Sequence, residues 1–166
     1  SGMRWRDYFK SFGKGIVNIL PAVLLILMAN SIRFTMTESK ILDTILFQTV
    51  KLTQNAPSGV VVLMIYALAL VLELFISSGS AKAFLLMPLI APIADLSGIS
   101  RQIAVLAYAF GDGFSNVFYP TNPVLLISLG IVGIGYGKWF KWSGKIQIAV
   151  LALTCGLLLF ANAIGY

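Results

Sequence analysis

Two short stretches gather side chains able to do chemistry in an otherwise apolar chain. One is Ser77-Ser78-Gly79-Ser80. The other is Gly111-Asp112-Gly113-Phe114-Ser115-Asn116, running on to Pro120-Thr121-Asn122-Pro123. Hydroxyl and amide oxygens are hard neutral donors that suit a hard monovalent ion. Glycine and proline interrupt helices, and an interrupted helix leaves carbonyls and N–H groups unpaired. Such carbonyls coordinate Na+, and the positive N-terminal end of a half-helix attracts a carboxylate. The candidate substrate- and ion-binding residues are therefore Ser77, Ser78, Gly79, Ser80, Asp112, Ser115, Asn116, Thr121 and Asn122. Ser78, Ser80, Asn116 and Thr121 are the candidate Na+ ligands. A single interruption would be read as an aid to close helix packing. Two interruptions, both rich in Ser, Thr or Asn, point to a site.

Two acids stand in apolar surroundings. Asp112 lies in the second stretch, where it would bind a cation, titrate or cap the helix break. Glu73 precedes the serines by one helical turn and would pair structurally with Lys82. Phe114, Phe118 and Tyr119 are read as packing against core or lipid. There is no histidine, and the one cysteine, Cys155, sits in an apolar run. His-based catalysis, His-ligated metals and an intramolecular disulfide are thereby excluded. No nucleophile–base pair suggests an enzyme, and no cofactor is expected beyond a coupling ion, Na+ or H+.

The elements that hold these stretches are set by composition. Of 166 residues, 58% are hydrophobic and 11% charged, with a mean hydropathy of +0.91. A soluble domain carries about 25% charged residues, and a chain this short cannot hide so much apolar surface in an aqueous core. An all-α integral membrane protein is the expectation. The net charge of +6 does not indicate nucleic acid, because the basic residues flank apolar runs. Gly15 to Phe34 is the first candidate span, with Pro21 inside it. Glu38 to Gln54 is amphipathic, with Ile41, Leu42, Ile45, Leu46 and Val50 on one face, and reads as an interfacial helix. Gly59 to Ile76 is apolar, and the run from Ala81 to Ala94 is too short to span and carries Pro88 and Pro92. With the serines between them, residues 59–95 read as a re-entrant helical hairpin. Ser100 would cap a helix from Arg101 to Phe110. Together with Val124–Ile134 this makes one span, 101–134, broken mid-membrane. The basic, aromatic segment Tyr136–Lys145 is an interface belt, and Ile146–Ile164 is the last span.

This predicts three crossings. Arg4, Arg6, Lys10, Lys14, Lys138, Lys141 and Lys145 fall on one side, against Arg33, Lys40, Lys51 and Arg101 on the other. The bias places the N-terminus in the cytoplasm and the C-terminus outside a plasma (bacterial inner) membrane. Ser1-Gly2 reads as a tag scar ahead of Met3. Residues 1–14 are then scar and basic cytoplasmic segment, and 15–166 the transmembrane domain.

Several motifs resemble the C4-dicarboxylate anaerobic carrier family, within the ion-transporter superfamily. They are the stretch Ser77 to Asp95 with Gly98-Ile-Ser-Arg101-Gln, the stretch Phe110 to Asn116, Pro120-Thr-Asn-Pro123, and Tyr136-Gly-Lys138-Trp. That family includes dicarboxylate carriers and proteins assigned as basic amino-acid or peptide antiporters. The resemblance implies two inverted repeats, each with spans, an interfacial helix, a re-entrant hairpin and a broken span. Here only the C-terminal repeat is represented. It also implies that Ser78, Gly79 and Ser80 match a hairpin tip and that Asn116, Thr121 and Asn122 match a break. Sodium-coupled relatives carry Ser-Asn-Thr at the tip, where this chain has Ser-Gly-Ser. The expectation is a half-size secondary transporter subunit moving small carboxylates or amino acids with Na+ or H+ coupling. Its partners would be that solute, the lipid bilayer, and a second copy (a homo-oligomer) or a complementary half-carrier. A non-transporting regulatory or assembly subunit and an excised C-terminal fragment of a full-length carrier are the alternatives.

Overall fold

The computed structural model describes residues 5–53 and 56–166. The Ser1-Gly2 scar, Arg4 and the Gln54 end of the amphipathic helix lie outside the described residues. Among the described residues the chain forms seven helices and no strand: α1 (Trp5–Glu38), α2 (Ile41–Thr53), α3 (Ser58–Glu73), α4 (Gly79–Leu96), α5 (Arg101–Asn116), α6 (Pro123–Val132) and α7 (Tyr136–Ala163).

The helix ends follow local chemistry. Ser39 and Lys40 separate α1 from α2, with Lys40 in the left-handed region at φ 54°. The Ser78 hydroxyl accepts from Ala81 N to cap α4, and the Ser100 hydroxyl accepts from Ile103 N to cap α5 as the sequence predicts. Asn122 caps α6 by accepting from the N–H groups of Val124 and Leu125, and Pro123 fills the first helical position. The left-handed Gly133 at φ 74° ends α6. The structure lengthens two elements relative to the sequence reading. α1 runs without a break from the basic, aromatic start to Glu38, through Pro21. α4 has 18 residues rather than a short run, because it stays helical through Pro88 and Pro92. Those prolines leave the carbonyls of Phe84 and Pro88 without their usual donors.

The core sits between α3, α4 and α5. Val61, Val62, Ile65, Ala69 and Leu72 of α3 meet Leu86 and Ile90 of α4 and Ile103, Ala104 and Ala107 of α5. Directions follow from the contacts. At its start α3 receives the Asn162 amide of α7 on the Ser58 hydroxyl, and further along Tyr66 bonds Thr154 at 2.8 Å, so α3 and α7 are antiparallel. The Ser100 hydroxyl donates to the Tyr166 carbonyl at 2.5 Å, which brings the start of α5 to that same end of the molecule. α4 returns from the far end, since Gly79 meets Tyr108 late in α5 while Asp95 pairs with Arg101 at its start. α4 and α7 are each long and apolar enough to cross a membrane by length and composition. α7 buries only Ser143, Gln147 and Leu158 against the rest of the chain, leaving Ile146, Ile148, Leu153 and Phe160 exposed. An apolar surface of that length is covered by lipid or protein, not by water.

Candidate functional site

α5 does not stop at Phe110. It continues through Gly111, Asp112 and Gly113 to Asn116, so Asp112 lies inside a helix and caps no break. The cause is a close crossing with α3. A Cβ on Gly111 would fall 2.6 Å from the Ala69 Cβ and 3.1 Å from the Tyr66 carbonyl oxygen. Only glycine lets the two backbones approach so closely, and the approach carries Asp112 to the end of α3.

There Asp112 joins a buried group of charges. The Lys82 ammonium donates to Glu73 Oε2, and Nζ lies 2.9 Å from Asp112 Oδ1. Lys82 and Glu73 are wholly buried, and the Asp112 side chain is 25% exposed. The group holds two acids and a single base. Glu73 Oε1 is buried with no hydrogen-bond partner. The Asp112 carboxylate also lies against the tip, since a Cβ on Gly79 would stand 3.0 Å from Oδ2. That puts an anion at the N-terminal end of α4, the favourable end of a helix dipole. Tyr108, one turn before Asp112, donates its hydroxyl to the Gly79 carbonyl at 2.5 Å. The Lys82 ammonium stands 5.9 Å from the centre of its ring, within cation–π range. The Glu73–Lys82 pair is the one the sequence predicts. The parts played by Tyr108 and Asp112 are not in that reading, although their i, i+4 spacing already puts them on one face of α5.

The second interruption, Val117 to Asn122, reaches the same place. Thr121 donates to the Glu73 carbonyl across a long 3.4 Å. Asn116 donates to the Asp112 carbonyl at 2.9 Å, and its oxygen accepts from Asn122 Nδ2 at 2.6 Å. The Ser115 hydroxyl bonds the Gly111 and Asp112 carbonyls of its own helix and is fully buried. Ser78 and Ser80 lie 3.5 Å apart at the exposed rim of the tip, with Ser77 half-buried beside them. Among the described residues, no hydrogen bond joins these serines directly to Asn116, Thr121 or Asn122. The link runs instead through Glu73, Lys82 and Asp112. Of the predicted set, the half-buried Thr121 hydroxyl is the least committed oxygen of the second interruption, while Ser115, Asn116 and Asn122 already satisfy one another or the backbone.

The interruption is also closed from a side that sequence periodicity does not disclose. Tyr136 donates to the Phe118 carbonyl at 2.7 Å, and the Trp139 indole donates to the Val117 carbonyl at 3.1 Å. Phe118 stacks on Phe140 with ring centres 4.8 Å apart. The basic, aromatic first turns of α7 thus lie within side-chain reach of the interruption.

Comparison with known proteins shows the family of the chain. Residues 1–163 match the family model described as C4-dicarboxylate anaerobic carrier. The chain is 30% identical over 171 residues to the "Putative basic amino acid antiporter YfcC" of Escherichia coli (strain K12), covering all of this chain and 34% of that protein. It is 30% identical over 166 residues to an uncharacterized protein of Haemophilus influenzae, covering all of this chain and 32% of that protein. The chain therefore spans about a third of the length of the curated relatives it matches. No solved structure matches it.

Proposed function

The chain belongs to the C4-dicarboxylate anaerobic carrier family, and from that premise we propose that it forms part of a secondary transporter for small carboxylates or amino acids. It is membrane-embedded, as a carrier must be, and Na+ or H+ drives the solute. The single observation that supports this reading is the convergence of two helix interruptions on one buried polar cluster. Irregular backbone deep in a membrane protein is tolerated where it lines a cavity or is covered by protein. The solute site is assigned to the space bounded by the tip Ser77–Ser80, by Asp112, Ser115 and Asn116, and by Thr121 and Asn122. Ser78, Ser80, Asn116 and Thr121 offer neutral oxygens to a coupling Na+. The inverted-repeat layout, with a re-entrant hairpin over 59–95 and a span broken within 101–134, is part of the same proposal.

The chain spans about a third of the length of its curated relatives, and the other repeat of the proposed layout would come from a second copy, a complementary half or the remainder of a longer carrier. An assembly subunit without transport is the competing reading, and ligand binding separates the two. Thr121→Val is the cleanest probe, because the hydroxyl it removes makes only a 3.4 Å bond and the volume is kept. Asn116→Ala is less clean, because it strands the Asn122 amide, at about 1–3 kcal/mol. A C4-dicarboxylate or a basic amino acid should raise the melting temperature of the wild type, since a ligand stabilises the state it binds. The shift should vanish in Thr121→Val and persist in Ser128→Ala on the exposed face of α6. Equal shifts in wild type and Thr121→Val would remove Thr121 from the site.

A further inference from the structure

Solute binding as proposed involves Asp112 but gives no role to Glu73 and Lys82 behind the tip. Buried charges must compensate one another, and here two acids face a single base. The lone base is in an unusual place. Lys82 lies in the first turn of α4, at the helix end whose dipole repels cations. The helix therefore does not hold it there. Glu73 at the end of α3 and Asp112 in α5 do, from two different helices. The Tyr108 ring faces the ammonium, while the Tyr108 hydroxyl holds the Gly79 carbonyl. Glu73 Oε1 is fully buried and has no partner, so the cradle contains an acceptor that its occupant does not use.

We propose that Glu73 and Asp112 form a monovalent-cation site whose resident cation in this chain is its own Lys82 ammonium. Two hard carboxylates from different helices, with a buried spare oxygen, are a donor set for a small hard cation. A tethered ammonium in that position supplies the charge permanently and needs no cation from solution. Removing it exposes a vacancy with a surplus of negative charge and several oxygen donors, which free Na+ should fill. The inference concerns cation binding alone, so it stands or falls separately from solute transport.

The test is thermal unfolding of the full chain in detergent, in NaCl against choline chloride at equal ionic strength. Lys82→Gln should show a Na+-specific rise in melting temperature beyond that of the wild type. The excess should be about 4 °C for a chain this size once Na+ reaches roughly ten times its dissociation constant. The double variant Glu73→Gln/Lys82→Gln, which removes one carboxylate as well, should lose that excess. Three results would overturn the proposal. One is an equal Na+ shift in wild type and Lys82→Gln. A second is a full excess shift in the double variant. The third is failure to recover folded Lys82→Gln in either salt, because Na+ would then not replace the ammonium.

Discussion

Gly111 shows how much one missing methyl group decides. Its Cα faces Ala69 across the α3–α5 crossing, where a Cβ would stand 2.6 Å from the Ala69 Cβ and 3.1 Å from the Tyr66 carbonyl. Neither contact can yield without moving backbone, so Gly111→Ala should destabilise by about 1–3 kcal/mol through overpacking. Converting Ala69 to glycine in the same chain should recover part of that loss. Thermal unfolding of the single and double variants measures the coupling, and additive losses would show that the crossing is not the cause. The sequence marks Gly111-Asp112-Gly113 as special but leaves the reason ambiguous. Glycine breaks helices and also permits close crossings, and the second role governs Gly111. Glu73 and Lys82 are legible as a pair because a helical turn and a short loop separate them. Asp112 completes the group only through the α3–α5 crossing, and that distance in sequence carries no periodicity to read.

At the scale of elements, polar capping residues were a better signal than glycine, since α5 runs on through Gly111 and Gly113. Ser100 marks a helix start where the structure has it, and the polar tetrad Ser77–Ser80 straddles the start of α4, with Gly79 and Ser80 inside the helix. Lengths were less legible, because proline in apolar surroundings does not end a helix as it does in water, and α4 passes through two of them. The closing of the second interruption by Tyr136 and Trp139 was legible only as an aromatic belt. A belt residue and a carbonyl partner look alike until the chain is folded. The order of the helices yields a topology that the basic residues orient. Lys138, Lys141 and Lys145 lie in the first turns of α7, and Ser58, Ser100 and Tyr166 gather at the other end of the molecule. With the lysine-rich end in the cytoplasm, a reporter fused after Tyr166 should be active only in an extracytoplasmic assay. A C-terminal reporter found wholly in the cytoplasm would refute the three-crossing arrangement.

For the whole molecule, the central claim is that the polar cluster between α3, α4, α5 and the start of α6 is the place a solute passes. The outer helices leave apolar faces uncovered, as expected of a chain surrounded by lipid or protein. The family match fits a carrier. The most direct measurement is uptake of a labelled C4-dicarboxylate or basic amino acid. It should use liposomes holding the intact assembly, under an imposed Na+ or H+ gradient, with wild type and Thr121→Val in parallel. The account predicts gradient-driven uptake by the wild type and its loss in Thr121→Val at equal protein content. Undiminished uptake in Thr121→Val, or no uptake by an assembly shown to be intact, would contradict it.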